Sequence, residues 1–295
     1  MAVAIRTVGL SKRYGAADAL VDLDLEVADG EVFGFLGPNG AGKSTTIALL
    51  LGFIRPTSGH AEIFGLDVRR DAERVHARTA YVPSVTELWP SLTGAETLDF
   101  LANIHGHVDA PYRDELVARF ELEPDKKVRA YSHGNRQKVP LIAAFASRAD
   151  LLLLDEPTSG LDPLMEQVFQ ACVREARDHG QTVFLSSHIL SEVEAVCSRV
   201  AMLRRGRMIE VGELDVLRGL ASTHVEAELT SAAPDLTATA GVHHVRVDGH
   251  TVRCDVSGPI GPLLEVLTKA GVARLTTREP SLEELFVAKY GGAEV

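Results

Sequence analysis

The run Gly37-Pro-Asn-Gly-Ala-Gly-Lys-Ser44 follows directly on the apolar segment Glu31–Leu36 and opens a helix-like pattern from Lys43 to Leu51. A strand, a glycine-rich loop and a helix in that order constrain this chain more than any other feature in it. Glycine has no Cβ and tolerates positive φ, so the amides between Gly37 and Gly42 can all turn inward and form an anion nest. Lys43 adds a point charge suited to β- and γ-phosphates, Ser44 a hydroxyl ligand for Mg2+, and the helix its positive dipole end. Candidate contacts to a nucleoside triphosphate therefore comprise Gly37, Pro38, Asn39, Gly40, Ala41, Gly42, Lys43, Ser44 and Thr45.

Such a loop needs a carboxylate partner at the tip of a buried strand. Leu151-Leu-Leu-Leu-Asp155-Glu156 has that form. The leucines bury the strand, Asp155 is placed to hold the Mg2+ shell, and Glu156 is placed to polarise an attacking water as general base. Two acids ahead of Pro157 also read as a helix-capping pair, but the glycine loop upstream favours the catalytic assignment.

Fully apolar strands alternate with helices over most of the chain. Strand-like segments at Ile5–Gly9, Ala19–Val27, Glu31–Leu36, His60–Phe64, Thr79–Val82, Leu151–Leu154 and Thr182–Ser186 are interleaved with helical patterns at Arg70–Arg78, from about Asn135 to Ala146, and at Pro163–His179. Pro56–Gly59 reads as a turn, and Ser91 to about Ala130 as a helical insert. This order predicts an α/β fold with a parallel sheet covered on both faces. Near Gly219–Thr223 the character changes. Half-exposed alternation at His224–Leu229, Val242–Val247 and His250–Val256, with short helices at Pro262–Ala270 and Ser281–Ala288, predicts a separate α+β module; Ser281 and Glu284 form a capping box. The expected domains are 1–221 and 222–295.

A length of 295 residues suits one large and one small domain, and 45% hydrophobic residues supply a core. Thirty basic against 41 acidic residues give a net charge of −11 with no basic run, which argues against a nucleic-acid partner. Cys172, Cys197 and Cys254 are few, odd in number and widely spaced, as expected of core cysteines in a reducing compartment. The first thirty residues hold no uninterrupted apolar stretch, and Val139–Leu154 is broken by Arg148 and Asp150, so no secretory signal or spanning helix is expected. Any membrane crossing falls to another chain.

Further segments resemble the ATP-binding cassette (ABC) ATPases over about residues 3 to 220. Tyr131-Ser132-His133-Gly134-Asn135, followed by Arg136-Gln137-Lys138, is similar to the family signature; Ser159-Gly-Leu-Asp162 resembles its D-loop; His188 in Leu185-Ser-Ser-His188 resembles its switch histidine; Tyr14 in Lys12-Arg-Tyr-Gly15 matches its adenine-stacking aromatic. The resemblance implies a P-loop nucleotide-binding domain with a RecA-like lobe and a helical subdomain, binding ATP with Mg2+. It implies catalytic roles for Glu156 and His188. It also implies that Ser132, Gly134 and Asn135 reach the γ-phosphate held by a second cassette, so that two cassettes sandwich two ATP molecules. Three positions depart from the family pattern: Ser84 stands where a glutamine is usual, His133 replaces a glycine and Asn135 a glutamine. A protonated His133 imidazole would add favourable charge beside the phosphate.

The ending Pro280-Ser-Leu-Glu-Glu-Leu-Phe286 and the Tyr131–Lys138 variant resemble the daunorubicin-resistance-like branch of ABC exporters. That implies an ATP-hydrolysing subunit, peripheral on the cytoplasmic face of the membrane, driving export of drugs, lipids or other small molecules through separate membrane-spanning permease subunits. Its second cassette would be an identical or a different chain, and the C-terminal module would serve dimerisation or assembly. The alternative is a soluble mechanochemical ABC-type ATPase, against which stand the single cassette and the lack of a coiled-coil insertion. Leu88, Trp89 and Leu92 are the expected anchor for a coupling helix of the permease, unless Trp89 packs inside the insert.

Overall fold

The computed structural model describes residues 2–219 and 222–278. Contacts divide the chain into two compact units, Met1–Val211 and Gly212–Val295, a division upstream of the composition change near residue 222. The helix expected at Ser281–Ala288, its capping box and the Pro280–Phe286 ending lie outside the described residues.

The first unit begins with β1 (Val3–Tyr14), β2 (Ala17–Ala28) and β3 (Val32–Leu36), followed by α1 (Lys43–Leu50), β4 (Ser58–Ile63), β5 (Leu66–Asp67), α2 (Ala72–His76) and β6 (Thr79–Val82). The helical insert holds α3 (Gly94–His105), α4 (Ala110–Arg119) and a 3-10 turn at Val128–Ala130, and α5 (His133–Ala146) follows it. The chain then runs through β7 (Leu151–Asp155), α6 (Pro163–Asp178), β8 (Thr182–Ser187), α7 (Leu190–Glu194), β9 (Arg199–Arg204) and β10 (Arg207–Glu213).

Six strands form the central sheet in the order β10-β9-β3-β8-β7-β6. The pairings β9–β3, β3–β8, β8–β7 and β7–β6 are parallel. Every residue of β3, β7 and β8 is buried, which is why these strands read as unbroken apolar runs rather than alternating ones. Phe184 stacks on Phe33 at 5.9 Å and tilts against Phe35 at 5.1 Å, tying the middle of the sheet together. Parallel strands expose their carboxyl ends on one edge. The register Leu36↔Ser187 and Asp155↔Ser186 therefore delivers the Gly37 loop, Glu156 and His188 to the same edge, where open α/β sheets bind ligands.

A second sheet, β2-β1-β4-β5, is antiparallel and shares a core with the first: Ile5, Leu23 and Ile63 join Phe33, Leu151 and Phe184 in one buried cluster. Ser58 and Gly59, expected in a turn, belong to β4, because Ser58 pairs with Ser11 across a bulge in β1. The helix expected over Arg70–Arg78 is confined to α2. Its approach is bent by the Asp67 side chain, which accepts from the Arg69 and Arg70 amides. Helix α6 matches its amphipathic pattern. Met165, Phe169, Cys172, Val173 and Ala176 are buried, and Asp162 caps the first turn by accepting from the Leu164 and Met165 amides.

The second unit contains α8 (Leu214–Gly219), β11 (Thr223–Leu229), β12 (Val242–Asp248), β13 (Thr251–Val256), α9 (Gly261–Ala270) and β14 (Val272–Arg278). Its antiparallel sheet has the order β12-β13-β11-β14. Val225, Ala227, Leu229, Val252, Cys254 and Val256 face Leu263 and Leu267 of α9. The opposite face is polar: Asp255 accepts from His224 at 2.5 Å and from His244 at 2.9 Å. Among the described residues no helix is long and apolar enough to cross a membrane. All three cysteines are buried and free.

Candidate active site

The glycine loop is held on three sides. Gly37 N donates to Ser187 O of β8 at 3.3 Å, Ala41 N to Pro38 O at 3.1 Å, and Gly206 N, in the β9–β10 turn, to Ala41 O at 2.9 Å. Gly42 adopts φ +111, and a Cβ there would lie 2.5 Å from Ala19 O, so the position admits no side chain. It also caps α1 with no side-chain hydrogen bond, leaving the first amides of that helix to other acceptors. Lys43 is buried and folds back over the loop, its Nζ donating to Gly37 O at 2.6 Å and Pro38 O at 3.4 Å. Ser44, one position on, is exposed.

Lys43 Nζ also lies 3.1 Å from Glu156 Oε1. Glu156 Oε2 in turn lies 2.6 Å from His188 Nδ1, so a cation, a carboxylate and an imidazole form one chain at the sheet edge. Glu156 sits at φ +49, a left-handed conformation costing about 1–2 kcal/mol for a residue with a side chain. Its amide donates to Ser186 O at 3.1 Å. Asp155 is buried. Ser186 Oγ donates to its Oδ1 at 2.5 Å, and its Oδ2 has no hydrogen-bond partner. A buried carboxylate oxygen with no hydrogen-bond donor is the hard-oxygen ligand a divalent cation takes. Burial, with the Asp155 charge adding to it, pushes the neighbouring Tyr81 hydroxyl up to about 12, so it stays un-ionised near neutrality.

The segment after Glu156 is clamped from both sides. Gln137 of α5 donates its Nε2 to Pro157 O at 3.2 Å. Thr158 Oγ1 donates to Glu192 Oε1 at 2.6 Å, and Ser187 Oγ donates to Glu192 Oε2 at 2.7 Å. Glu192 is buried, and desolvation raises its pKa against the help of those two donors. Ser186, Glu192 and Gln137 are not among the site residues expected from sequence.

Ser132 caps α5, its Oγ accepting from Asn135 N at 3.2 Å, and is exposed. The turn it begins packs on the loop beyond Glu156 in the same chain. A Cβ on Gly134 would lie 2.4 Å from Gly160 O, and one on Gly160 2.3 Å from the His133 ring. Gly134→Ala is accordingly expected to destabilise the chain by about 1–3 kcal/mol through overpacking against backbone. A chemical-denaturation midpoint equal to wild type would contradict that. Lys43, Asp155, Glu156, His188 and the Gly37–Gly42 loop are thus brought together. Among the described residues, Ser132, Gly134, Asn135 and Tyr14 share no hydrogen bond or ion pair with Lys43 or Glu156. Tyr14, at the end of β1, is half-exposed, with Lys12 Nζ 4.9 Å over its ring and itself donating to Arg55 O at 2.7 Å.

Beyond Ser84 several large apolar side chains are exposed, interspersed with the exposed Glu87 and Asp99. Trp89 is 46% exposed and meets Phe100 edge-on at 4.6 Å, and Val85, Phe100 and Ile104 are exposed beside it in sequence or on α3. Trp89 is thus half-covered by α3 of the insert and half-exposed. Leu88 and Leu92 are half-buried.

The chain matches the ABC transporter family over residues 20–159. It is 33% identical to the bacitracin transport ATP-binding protein BcrA of Bacillus licheniformis, over the whole of both chains. It is 34% identical to the daunorubicin resistance ATP-binding protein DrrA3 of Streptomyces coeruleorubidus, covering 98% of this chain and 96% of that one. Identity to the Nod factor export ATP-binding protein I of Rhizobium meliloti (strain 1021) is 33%, covering 98% and 88%. Among solved structures, an ATP-binding subunit of an ABC transporter superposes with a TM-score of 0.68 at 33% identity, covering 73% of this chain and 92% of that chain. A dimeric ATP-binding cassette with bound ADP and Pi shares the fold, at 23% identity and a TM-score of 0.64.

Proposed function

Because the chain belongs to the ABC transporter family of ATP-binding proteins, we propose that it is the ATP-hydrolysing subunit of an exporter whose membrane-spanning permease is a separate chain. The observation that carries this reading is the Lys43–Glu156–His188 chain beside the unpartnered Asp155 Oδ2, all at the edge where the glycine loop opens.

In this reading the loop amides of residues 37–42 and the first amides of α1 cradle the phosphates of ATP, and Tyr14 stacks on the adenine. Lys43 exchanges its Gly37 and Pro38 carbonyl partners for β- and γ-phosphate oxygens. Ser44 and Asp155 would hold Mg2+, which would neutralise charge on the phosphate oxygens. Glu156, released from Lys43, accepts the proton of the attacking water. His188 orients that carboxylate through Nδ1 and presents its other ring nitrogen to the γ-phosphate. Ser132, exposed, and Gly134 and Asn135, half-buried, form the N-terminus of α5 and would face a γ-phosphate held by a second cassette.

Export follows from the relatives, which are transport or resistance ATP-binding proteins matched over nearly their full length. The cargo class is drugs, lipids or comparable small molecules, and the work is done on the cytoplasmic face of the membrane. The exposed Trp89, Phe100 and Ile104 are the permease contact, with residues 1–221 as the ATPase domain and 222–295 as an assembly module.

Co-purification of the tagged full-length chain with a membrane protein from detergent-solubilised membranes tests this reading. A complex in detergent whose ATP turnover requires the chain is expected. A chain that extracts alone, with turnover unaffected by the membrane protein, would overturn it. Trp89→Ala should weaken that complex by at least about 30-fold, a hot-spot loss of roughly 2 kcal/mol, with nucleotide affinity unchanged.

A further inference from the structure

The end of β1 is fastened to the segment that follows α1. Thr57 N donates to Ser11 O at 2.8 Å, Arg13 N donates to Thr57 Oγ1 at 3.0 Å, and Lys12 Nζ donates to Arg55 O at 2.7 Å. Strand β2, paired with β1 from Tyr14↔Ala17 onward, leans on the glycine loop. Ala19 O lies 2.5 Å from where a Gly42 Cβ would fall, and Val21 N donates at 2.8 Å to Gly206 O, in the turn whose own amide holds Ala41 O. Tyr14 is thus carried on a hairpin packed against the glycine loop, and its side chain stays 51% exposed.

Lys12 is half-buried, and its ammonium lies 4.9 Å from the Tyr14 ring centroid, within the range at which an aromatic face attracts a cation. The same ammonium is pinned to Arg55 O, so it covers the ring from a fixed point. Asp18, on the facing strand, pairs with Arg13 at 2.8 Å rather than with Lys12. One side of the ring is therefore taken by a held cation, and the exposed part is left as a surface for stacking.

We infer that Lys12 is a positioning residue for the nucleobase, holding Tyr14 as a one-sided platform through its paired contacts to the ring and to Arg55 O. The inference rests on the adenine-stacking reading of Tyr14. A ring not held in advance has to be ordered when the base arrives, and that cost is subtracted from the affinity. Lys12 therefore acts on the base-dependent part of ATP binding, whereas Lys43 and the glycine loop act on the phosphates.

Calorimetric titration of the full-length chain with MgATP, and separately with inorganic tripolyphosphate and Mg2+, resolves the two parts. Wild type is expected to bind MgATP at least about tenfold more tightly than tripolyphosphate, the size of base stacking on an aromatic side chain. Lys12→Met, which keeps the stem but removes charge and donor, should weaken MgATP about three- to tenfold, as expected for the ordering of one side chain on binding. Its affinity for tripolyphosphate should be unchanged. Lys12→Arg, which keeps cation and donor, should restore MgATP binding. Tyr14→Ala should weaken MgATP, and adding Lys12→Met to it should cause no further loss.

Unchanged MgATP affinity in Lys12→Met overturns the inference. So does an equal loss for both ligands, or a full additional loss on the Tyr14→Ala background. If Lys12→Met fails to fold, Lys12→Gln, which removes the charge and keeps a donor for Arg55 O, decides by the same comparison. A wild-type chain that binds both ligands equally overturns the stacking role of Tyr14 and the inference with it. One that binds neither overturns the ATP-binding reading itself.

Discussion

Glu156→Gln is expected to lower ATP turnover by about 10²–10⁴-fold, the range associated with loss of a general base, while nucleotide binding is retained. Glutamine keeps the shape and one carbonyl oxygen beside His188 but cannot take the proton of water. The structure gives a reason for binding to persist or tighten. Glu156 Oε1 holds Lys43 Nζ at 3.1 Å, and a neutral amide there competes less with phosphate for that ammonium. The left-handed backbone at residue 156 is set by Ser186 O, Gln137 and the Thr158–Glu192 clamp, all outside the substituted side chain, so the local conformation is expected to survive. Single-turnover hydrolysis with excess enzyme separates the chemical step from product release. Turnover within threefold of wild type would remove Glu156 from the role of base.

Lys43→Ala acts on binding instead. The ammonium is buried and donates to two loop carbonyls, so it is preorganised within the cradle that the Gly37–Gly42 amides form. Losing a charge-assisted contact of about 1.5–3 kcal/mol weakens ATP about 10- to 100-fold. A second effect has the same sign. Without Lys43, the carboxylate of Glu156 faces the γ-phosphate with no cation between them, and like charges repel strongly in a partly desolvated site. Fluorescent-nucleotide titration measures the sum. An unchanged dissociation constant would place the nucleotide elsewhere on the chain.

The parts of this site written in consecutive residues were legible before any coordinates. Gly37–Ser44 and Leu151–Glu156 each combine a buried strand with the chemistry at its tip, and parallel pairing of β3, β8 and β7 brings the tips together. What was not legible depends on partners distant in sequence. Ser186 on Asp155, Glu192 on Thr158 and Gln137 on Pro157 are single side chains whose roles arise from register and helix packing. Strand β14 escaped for a different reason: every residue in it is exposed, so the sequence carries no alternation to read. The antiparallel β2-β1-β4-β5 sheet was visible only as separate strands, because bulges in β1 interrupt its period of two. Ser132, Gly134 and Asn135 were found from a family resemblance. Within one chain Gly134 packs on Gly160 and Ser132 accepts from Asn135 N, and the role toward a second cassette is what the resemblance implies.

That assignment, ATP held between the glycine loop of one copy and the Ser132 turn of another, is tested most directly by sedimentation of the Glu156→Gln chain with MgATP. The account predicts a shift from the 31.8 kDa single chain to twice that mass at saturating nucleotide, reversed by adding Ser132→Arg at the signature turn. A chain that stays single with ATP demonstrably bound would contradict it.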